Sequence, residues 1–199
     1  MRDPDGYKIK ILDSLEKAEK KGLVDEDIIP LLDRINSFDM WVTTSSCSGR
    51  FQLISPPFPG DKMGSRILGK WHHGVDQDEI LRSIKTWDGR GELHLMVQPV
   101  LLHVRCKDLL SGVQLRNLGQ GSGLKYSMIR SIKLRRDGGM IPWGITVEMM
   151  GTESAEIPLH GIGEDIIREG LPFWTNYGNG LLERTKGHIG DLIGSLEAI

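Results

Sequence analysis

Thr43-Thr44-Ser45-Ser46-Cys47-Ser48-Gly49-Arg50 is the stretch that most limits how this chain can fold. Trp41-Val42 before it and Phe51-Gln52-Leu53-Ile54 after it favour extended backbone, so the pattern predicts strand, turn, strand, in the manner of a hairpin. Small side chains let successive backbone N–H groups converge on a ligand. Gly49 permits a left-handed conformation, and Arg50 adds a planar donor fork. The same residues would also serve an ordinary tight turn, their hydroxyls satisfying only the turn backbone.

The rest of the chain repeats this alternation of short strands and helices. Ile11, Leu12, Leu15 and Ala18 fall at helical spacing between Tyr7 and Lys21, with Gly22 placed to stop the helix. Ile28, Leu31, Leu32 and Ile35 mark a second helix that holds Pro30 in its first turn. The proline-rich run from Ser55 to Ser65 predicts an irregular loop, and Arg66 to Trp71 a strand. Asp76 and Glu79 form a capping-box pattern ahead of Ile80, Leu81, Ile84 and Trp87. Strands are expected at Glu92 to Val97 and Leu101 to Cys106, a helix at Asp108 to Leu118, and strands at Tyr126 to Arg135, Gly144 to Met150 and Ala155 to Leu159. A final helical pattern, from about Ile162 to Leu196, should kink or split at Pro172.

Gly119-Gln120-Gly121-Ser122-Gly123 has the outline of a nucleotide-binding turn, but it follows a helix and leads into a strand, the reverse of what such a turn requires. It is better placed as a helix-ending linker. The expected fold is therefore α+β, a mixed and largely antiparallel sheet with flanking helices and not a Rossmann methyltransferase fold. A helix followed by several strands occurs in each half, a pattern compatible with internal duplication. One domain over residues 1 to 199 suits the length.

The net charge of −2 gives no overall basic signature, so any nucleic-acid contact must rest on local clusters such as Lys125, Arg130, Lys133, Arg135 and Arg136. Cys47 and Cys106 are too far apart for a zinc knuckle and too few for a disulfide framework, which points to a reduced, cytoplasmic setting. No apolar run approaches the roughly 20 residues needed to cross a bilayer. His72 and His73, adjacent at a strand end, project in opposite directions and make a poor metal pair. His103, alone on an apolar strand, reads either as a core histidine or as a catalytic one.

Asp39, followed by Val42 to Arg50, forms a signature that resembles the tRNA wybutosine-synthesizing protein 3 family. Gly22 to Asp27, Gly69-Lys70-Trp71-His72, Gln98 to Val104, Gly123 to Ser127, Gly151-Thr152-Glu153, Pro158-Leu159 and Asn179 agree with it in order, over nearly the full length. The chain departs from the family pattern at Gln98, where an acidic residue is usual, and at Met128, where glycine is common. The resemblance implies methyl transfer from S-adenosylmethionine to N4 of a demethylwyosine base bearing an aminocarboxypropyl chain, or of a simpler wyosine intermediate, beside the anticodon of tRNA-Phe. No metal centre is implied.

For a base in that reaction His103 is the first candidate and Asp39 the second, with Ser46 beside them in the polar run. Ser45, Cys47, Ser48, Gly49 and Arg50 are the expected holders of an anionic group of cofactor or substrate. Trp71 and His72 would supply a stacking surface, and Lys125, Ser127 and Asn179 would complete the pocket. A non-catalytic tRNA-binding module using Lys125 to Arg136 is the competing reading.

Overall fold

The computed structural model describes residues 4–58, 61 and 64–199. In chain order the elements are α1 (Pro4–Glu19), a single 3-10 turn (Glu26–Ile28) leading into α2 (Ile29–Asn36), β1 (Trp41–Cys47), β2 (Arg50–Ser55), β3 (Arg66–Trp71), α3 (Gln77–Ile84), β4 (His94–Gln98), β5 (Leu101–Cys106), α4 (Leu109–Gly121), β6 (Met128–Leu134), β7 (Met140–Met150), β8 (Ala155–Pro158) and α5 (Glu164–Glu197). The loop expected from Ser55 to Ser65 lies partly outside the described residues.

These elements form two compact units, and each draws on separated stretches of chain. The first contains the residues up to Ser48, Val100–Thr152 and Lys186–Ile199; the second contains Gly49–Pro99 and Glu153–Thr185. Each holds a four-stranded sheet, ordered β1-β5-β7-β6 in the first and β3-β2-β4-β8 in the second, with every pairing antiparallel. The α+β, non-Rossmann architecture with flanking helices is as the sequence predicts. The units do not coincide with the two halves of the sequence.

β1 and β2 are not a hairpin. β1 pairs with β5, whereas β2 pairs with β3 and β4, so Ser48-Gly49 carries the chain from one sheet into the other. Gly49 makes this crossover with φ +92, and a Cβ there would lie 2.9 Å from Thr185 Cγ2 and 3.3 Å from the Gln98 carbonyl oxygen. The strand propensities on either side were legible; the choice of partner depends on which core each strand can bury its face in. The chain changes sheet again between β4 and β5, where Pro99 has no N–H to continue a ladder.

In the first unit Trp41, Leu102, Val104, Ile145, Val147, Leu115 and Leu192 form the centre of a core that α2 joins through Leu31, Leu32 and Ile35. The Trp41 indole N–H donates to the Ser111 carbonyl at 2.9 Å, so its one polar atom is satisfied inside. In the second unit Phe51, Leu53, Leu95, Ile80 and Leu171 occupy the corresponding place. α3 carries the predicted capping box, Asp76 Oδ1 accepting from Glu79 N at 2.8 Å and Glu79 Oε2 from Asp76 N at 3.1 Å.

Pro172 does not split the last helix, which runs unbroken through it. An interior proline costs about 3 kcal/mol. Ile167, Leu171, Leu181 and Leu182 are buried on α5, each contributing roughly 1.5 to 3 kcal/mol, and their sum outweighs that penalty. The glycine-rich segment ends α4, as expected, although the helix continues to Gly121.

Candidate active site

His103, Glu148, Ser45 and Arg130 lie in a row across all four strands of the first unit's sheet. His103 on β5 stands directly opposite Glu148 on β7, and Ser45 on β1 stands opposite His103. Ser45 Oγ is 2.7 Å from His103 Nδ1, while His103 Nε2 is 2.6 Å from Glu148 Oε2. Arg130 of β6 donates to the same carboxylate oxygen and places Nη1 3.0 Å from His103 Nε2. The Glu148 and His103 side chains are 13% and 23% exposed, so the pair is shielded, whereas Ser45 and Arg130 face solvent.

Burial alone would push the Glu148 carboxyl upward, but hydrogen bonds from His103 and Arg130 together outweigh it and hold the group below its usual range. Glu148 is thus a fixed anion. If it accepts the proton of His103 Nε2, Nδ1 is left as the acceptor for the Ser45 hydroxyl. This serine, imidazole and carboxylate chain can move a proton from the surface inward.

A cavity of about 420 Å³ opens beside this row, between Ile11, Leu15 and Ala18 of α1 and Thr43 to Ser46 of β1. Ser46, half-buried, lines it. The Ser48 backbone N–H donates to Asp25 Oδ2 at 2.8 Å, and its fully buried hydroxyl has no hydrogen-bond partner among the described residues. Cys47 is half-buried at the end of β1.

Other first-unit candidates do not gather here. Asp39 is exposed on the turn before β1, whose first residue, Trp41, is itself four strand residues, about 13 Å, from Ser45. Ser127 is buried, and its hydroxyl donates to the Leu124 carbonyl at 2.6 Å, closing the turn before β6. Lys125 is exposed on that turn.

The second unit holds the remaining candidates. Arg50 Nε donates to Gln98 Oε1 at 2.6 Å, an uncharged partner, and its two terminal nitrogens have no partner among the described residues. His72 Nδ1 is 3.2 Å from the Gly49 carbonyl oxygen. Trp71 lies across Gly69, where any Cβ would fall 2.1 Å from the indole, and it packs against the core. Asn179 uses both ends of its amide on Val75, accepting from the backbone N–H at 3.1 Å and donating to the carbonyl at 2.9 Å, which is a structural clasp.

The family described as Methyltransferase TYW3 matches residues 6–198. The chain belongs to this family. A Thermococcus sibiricus protein named tRNA(Phe) 7-((3-amino-3-carboxypropyl)-4-demethylwyosine(37)-N(4))-methyltransferase is 42% identical over 183 residues, 92% of this chain and 88% of that one. A Pyrococcus furiosus protein of the same name, form 1, is 43% identical over 162 residues, 81% and 78% of the two chains. Among solved structures, the PH1069 protein of Pyrococcus horikoshii superposes with a TM-score of 0.84 at 37% identity, covering 98% of both chains. This chain is accordingly a TYW3 methyltransferase, an enzyme that requires a methyl donor.

Glu148 and Arg130 of this TYW3 protein escaped the sequence reading. Glu148 is one acid within an apolar strand, Gly144 to Met150, and that isolation was the available signal. Arg130 was counted only within a basic cluster, because its contact with Glu148 depends on a register that composition does not specify.

Proposed function

We propose that this enzyme transfers the methyl group of S-adenosylmethionine to N4 of the 7-aminocarboxypropyl-demethylwyosine at position 37 of tRNA(Phe), beside the anticodon. The observation that carries this reading is the agreement between that activity, borne in the names of the relatives, and a chain of groups in the first unit suited to removing one proton. The donor supplies an electrophilic methyl on sulfonium sulfur: the N4–C bond forms as the C–S bond breaks, and N4 must release its proton.

In our reading Ser45 Oγ receives that proton as it passes its own to His103 Nδ1, and Glu148 stabilises the resulting imidazolium through Nε2. His103 and Arg130 together hold Glu148 ionised against its burial. The cavity between α1 and β1 has the volume for a nucleoside, and Ser45 and Ser46 line it. Arg50, held by a neutral amide, retains its charge for a carboxylate of donor or substrate.

For the tRNA, β6 and the turns on either side of it expose Lys125, Lys133, Arg135 and Arg136 together with Tyr126 and Met128, a basic surface with apolar residues between the charges. Such a surface fits phosphates and bases. A tRNA substrate and two unbridged cysteines support a cytoplasmic setting, with both units serving one methyltransferase domain.

Incubation of labelled S-adenosylmethionine with tRNA from a strain lacking the protein, followed by nucleoside mass spectrometry, tests the proposal. One added methyl on the tricyclic base is expected. Label on any other nucleoside, or none, overturns it.

A further inference from the structure

We propose that Glu92, His94 and His160 of the second unit form a site for one divalent transition-metal ion of the zinc class, which ties the start of β4 to the segment after β8. Glu92 lies between the two imidazoles: its Oε2 is 2.8 Å from His94 Nε2 and its Oε1 is 3.5 Å from His160 Nε2. One ligand atom from each of the three residues falls within 4.8 Å of the others. Tetrahedral ligands at about 2.1 Å from zinc sit about 3.4 Å from one another, so the carboxylate and the imidazoles need little movement to share an ion.

Charge gives a second, independent reason. The other ring nitrogen of His94, Nδ1, is 2.8 Å from Glu156 Oε1 but off the direction of a hydrogen bond, and His160 Nδ1 is buried with no hydrogen-bond partner among the described residues. His94 therefore stands between two carboxylates. Among the described residues, no lysine or arginine pairs with Glu92 or Glu156. With neutral imidazoles the group carries a charge of −2, which one divalent cation balances. The Glu92 and His94 side chains are only 17% and 14% exposed, so the Glu92 charge is poorly solvated without one, while Glu156, at 55%, remains in contact with water.

The scaffold presents these groups on one side of a rigid pair of strands. His94 opposes Pro158 and Met96 opposes Glu156 in the β4–β8 ladder, which makes Glu156 the diagonal neighbour of His94. The Leu159 and His160 backbone N–H groups both donate to the Leu93 carbonyl, at 2.7 and 3.3 Å, fixing His160 beside the strand start. Glu92, His94 and His160 are three protein ligands, and water would complete a tetrahedron. Glu156 faces the far side of the His94 ring and is placed to orient it.

Chelator-treated full-length protein is titrated with zinc by calorimetry, the metal content is counted after dialysis, and cobalt is used as a spectroscopic stand-in. One zinc per chain is expected, with tetrahedral cobalt bands and no competition from magnesium. The double variant Glu92→Gln/His160→Gln should lose the bound ion, and Glu156→Gln should weaken binding about 10- to 100-fold. Circular dichroism establishes that each variant is folded, and zinc should raise the melting temperature of the parent, less that of Glu156→Gln, and not that of the double variant. Absence of zinc binding in the parent, or retention of the ion by the folded double variant, overturns the proposal. Neither outcome bears on methyl transfer, which the tRNA assay decides separately.

Discussion

Replacing His103 by Asn separates two accounts of how the methyl-accepting nitrogen is activated. A positioned general base is worth about 10²- to 10⁴-fold in rate, which at 1.36 kcal/mol per tenfold is about 2.7 to 5.4 kcal/mol. Positioning alone can supply roughly 7 to 11 kcal/mol, so a methyltransferase can work without a base. The structure favours the first account, because both ring nitrogens of His103 are engaged, at 2.7 and 2.6 Å, by a hydroxyl and a shielded carboxylate. Glu148→Gln keeps the shape and removes the charge; a charge-assisted hydrogen bond contributes about 1.5 to 3 kcal/mol, or roughly 10- to 150-fold. Ser45→Ala removes the group that receives the N4 proton and so disconnects the relay; it should cost about as much as His103→Asn, roughly 10²- to 10⁴-fold. Because the groups act in series, His103→Asn/Glu148→Gln should be no slower than His103→Asn. The assay is single-turnover methylation of precursor tRNA, with donor and tRNA binding measured separately. If His103→Asn binds both ligands and stays within about threefold of the parent rate, proton transfer through this row is refuted and positioning carries the reaction.

Arg50→Ala should weaken binding of the donor or the tRNA by roughly 10- to 150-fold, the value of a charge-assisted hydrogen bond, and leave the melting temperature unchanged; calorimetry with each ligand checks it. Cys106, fully buried, has its thiol pushed up to about 12, chiefly by burial and further by Asp108 against the opposing pull of Arg105, so alkylation of the native protein at pH 8 should modify at most one thiol, as read by mass spectrometry. Glu148 has a lowered carboxyl pKa, so the stability it contributes is fully present above the unfolded value of about 4.3 and is lost as the pH falls through the folded value. Urea unfolding should accordingly show a constant gap between the parent and Glu148→Gln from pH 6 to 8 that narrows below about pH 4. Gly178→Ala would set a Cβ 2.2 Å from Phe51 Cζ; overpacking at about 1 to 3 kcal/mol exceeds the helix gain of about 1 kcal/mol, and the melting temperature should drop by roughly 2 to 4 °C. A rise instead would mean that Phe51 yields freely.

Most elements were legible because their signals are local. The Asp76 and Glu79 capping box, Gly22 after α1 and the alternation of Leu101 to Cys106 each follow from neighbours in sequence. What was not legible is partner choice. Trp41-Val42 and Phe51 to Ile54 read as one hairpin, yet they belong to different sheets, because a strand's propensity says nothing about which distant strand completes its ladder. The structural duties of Ser127 and Asn179 were hidden for a related reason: their polar atoms serve Leu124 and Val75, partners that only the folded chain brings to them.

The row around His103 depends on two irregularities that a period-of-two pattern cannot anticipate. In an unbroken ladder starting from the Thr43–Val104 pair, Thr44 would oppose His103 and Ser45 would oppose Leu102. The register instead shifts between Thr43 and Ser45, so that Ser45 meets His103, while Thr44 Oγ1 donates to the His103 carbonyl at 3.1 Å. On the far side of the sheet the register shifts between Ile129 and Ser131, which leaves Arg130 as the extra residue and brings its guanidinium to Glu148. Bulges re-aim side chains at a cost in regular pairing. Two of them, in the two outer strands, converge on the one directly opposed His103–Glu148 pair. Packing needs only one pair of strands to bury its faces, and it gives no reason for both edges to bend toward the same imidazole. The proton transfer we propose at that imidazole does.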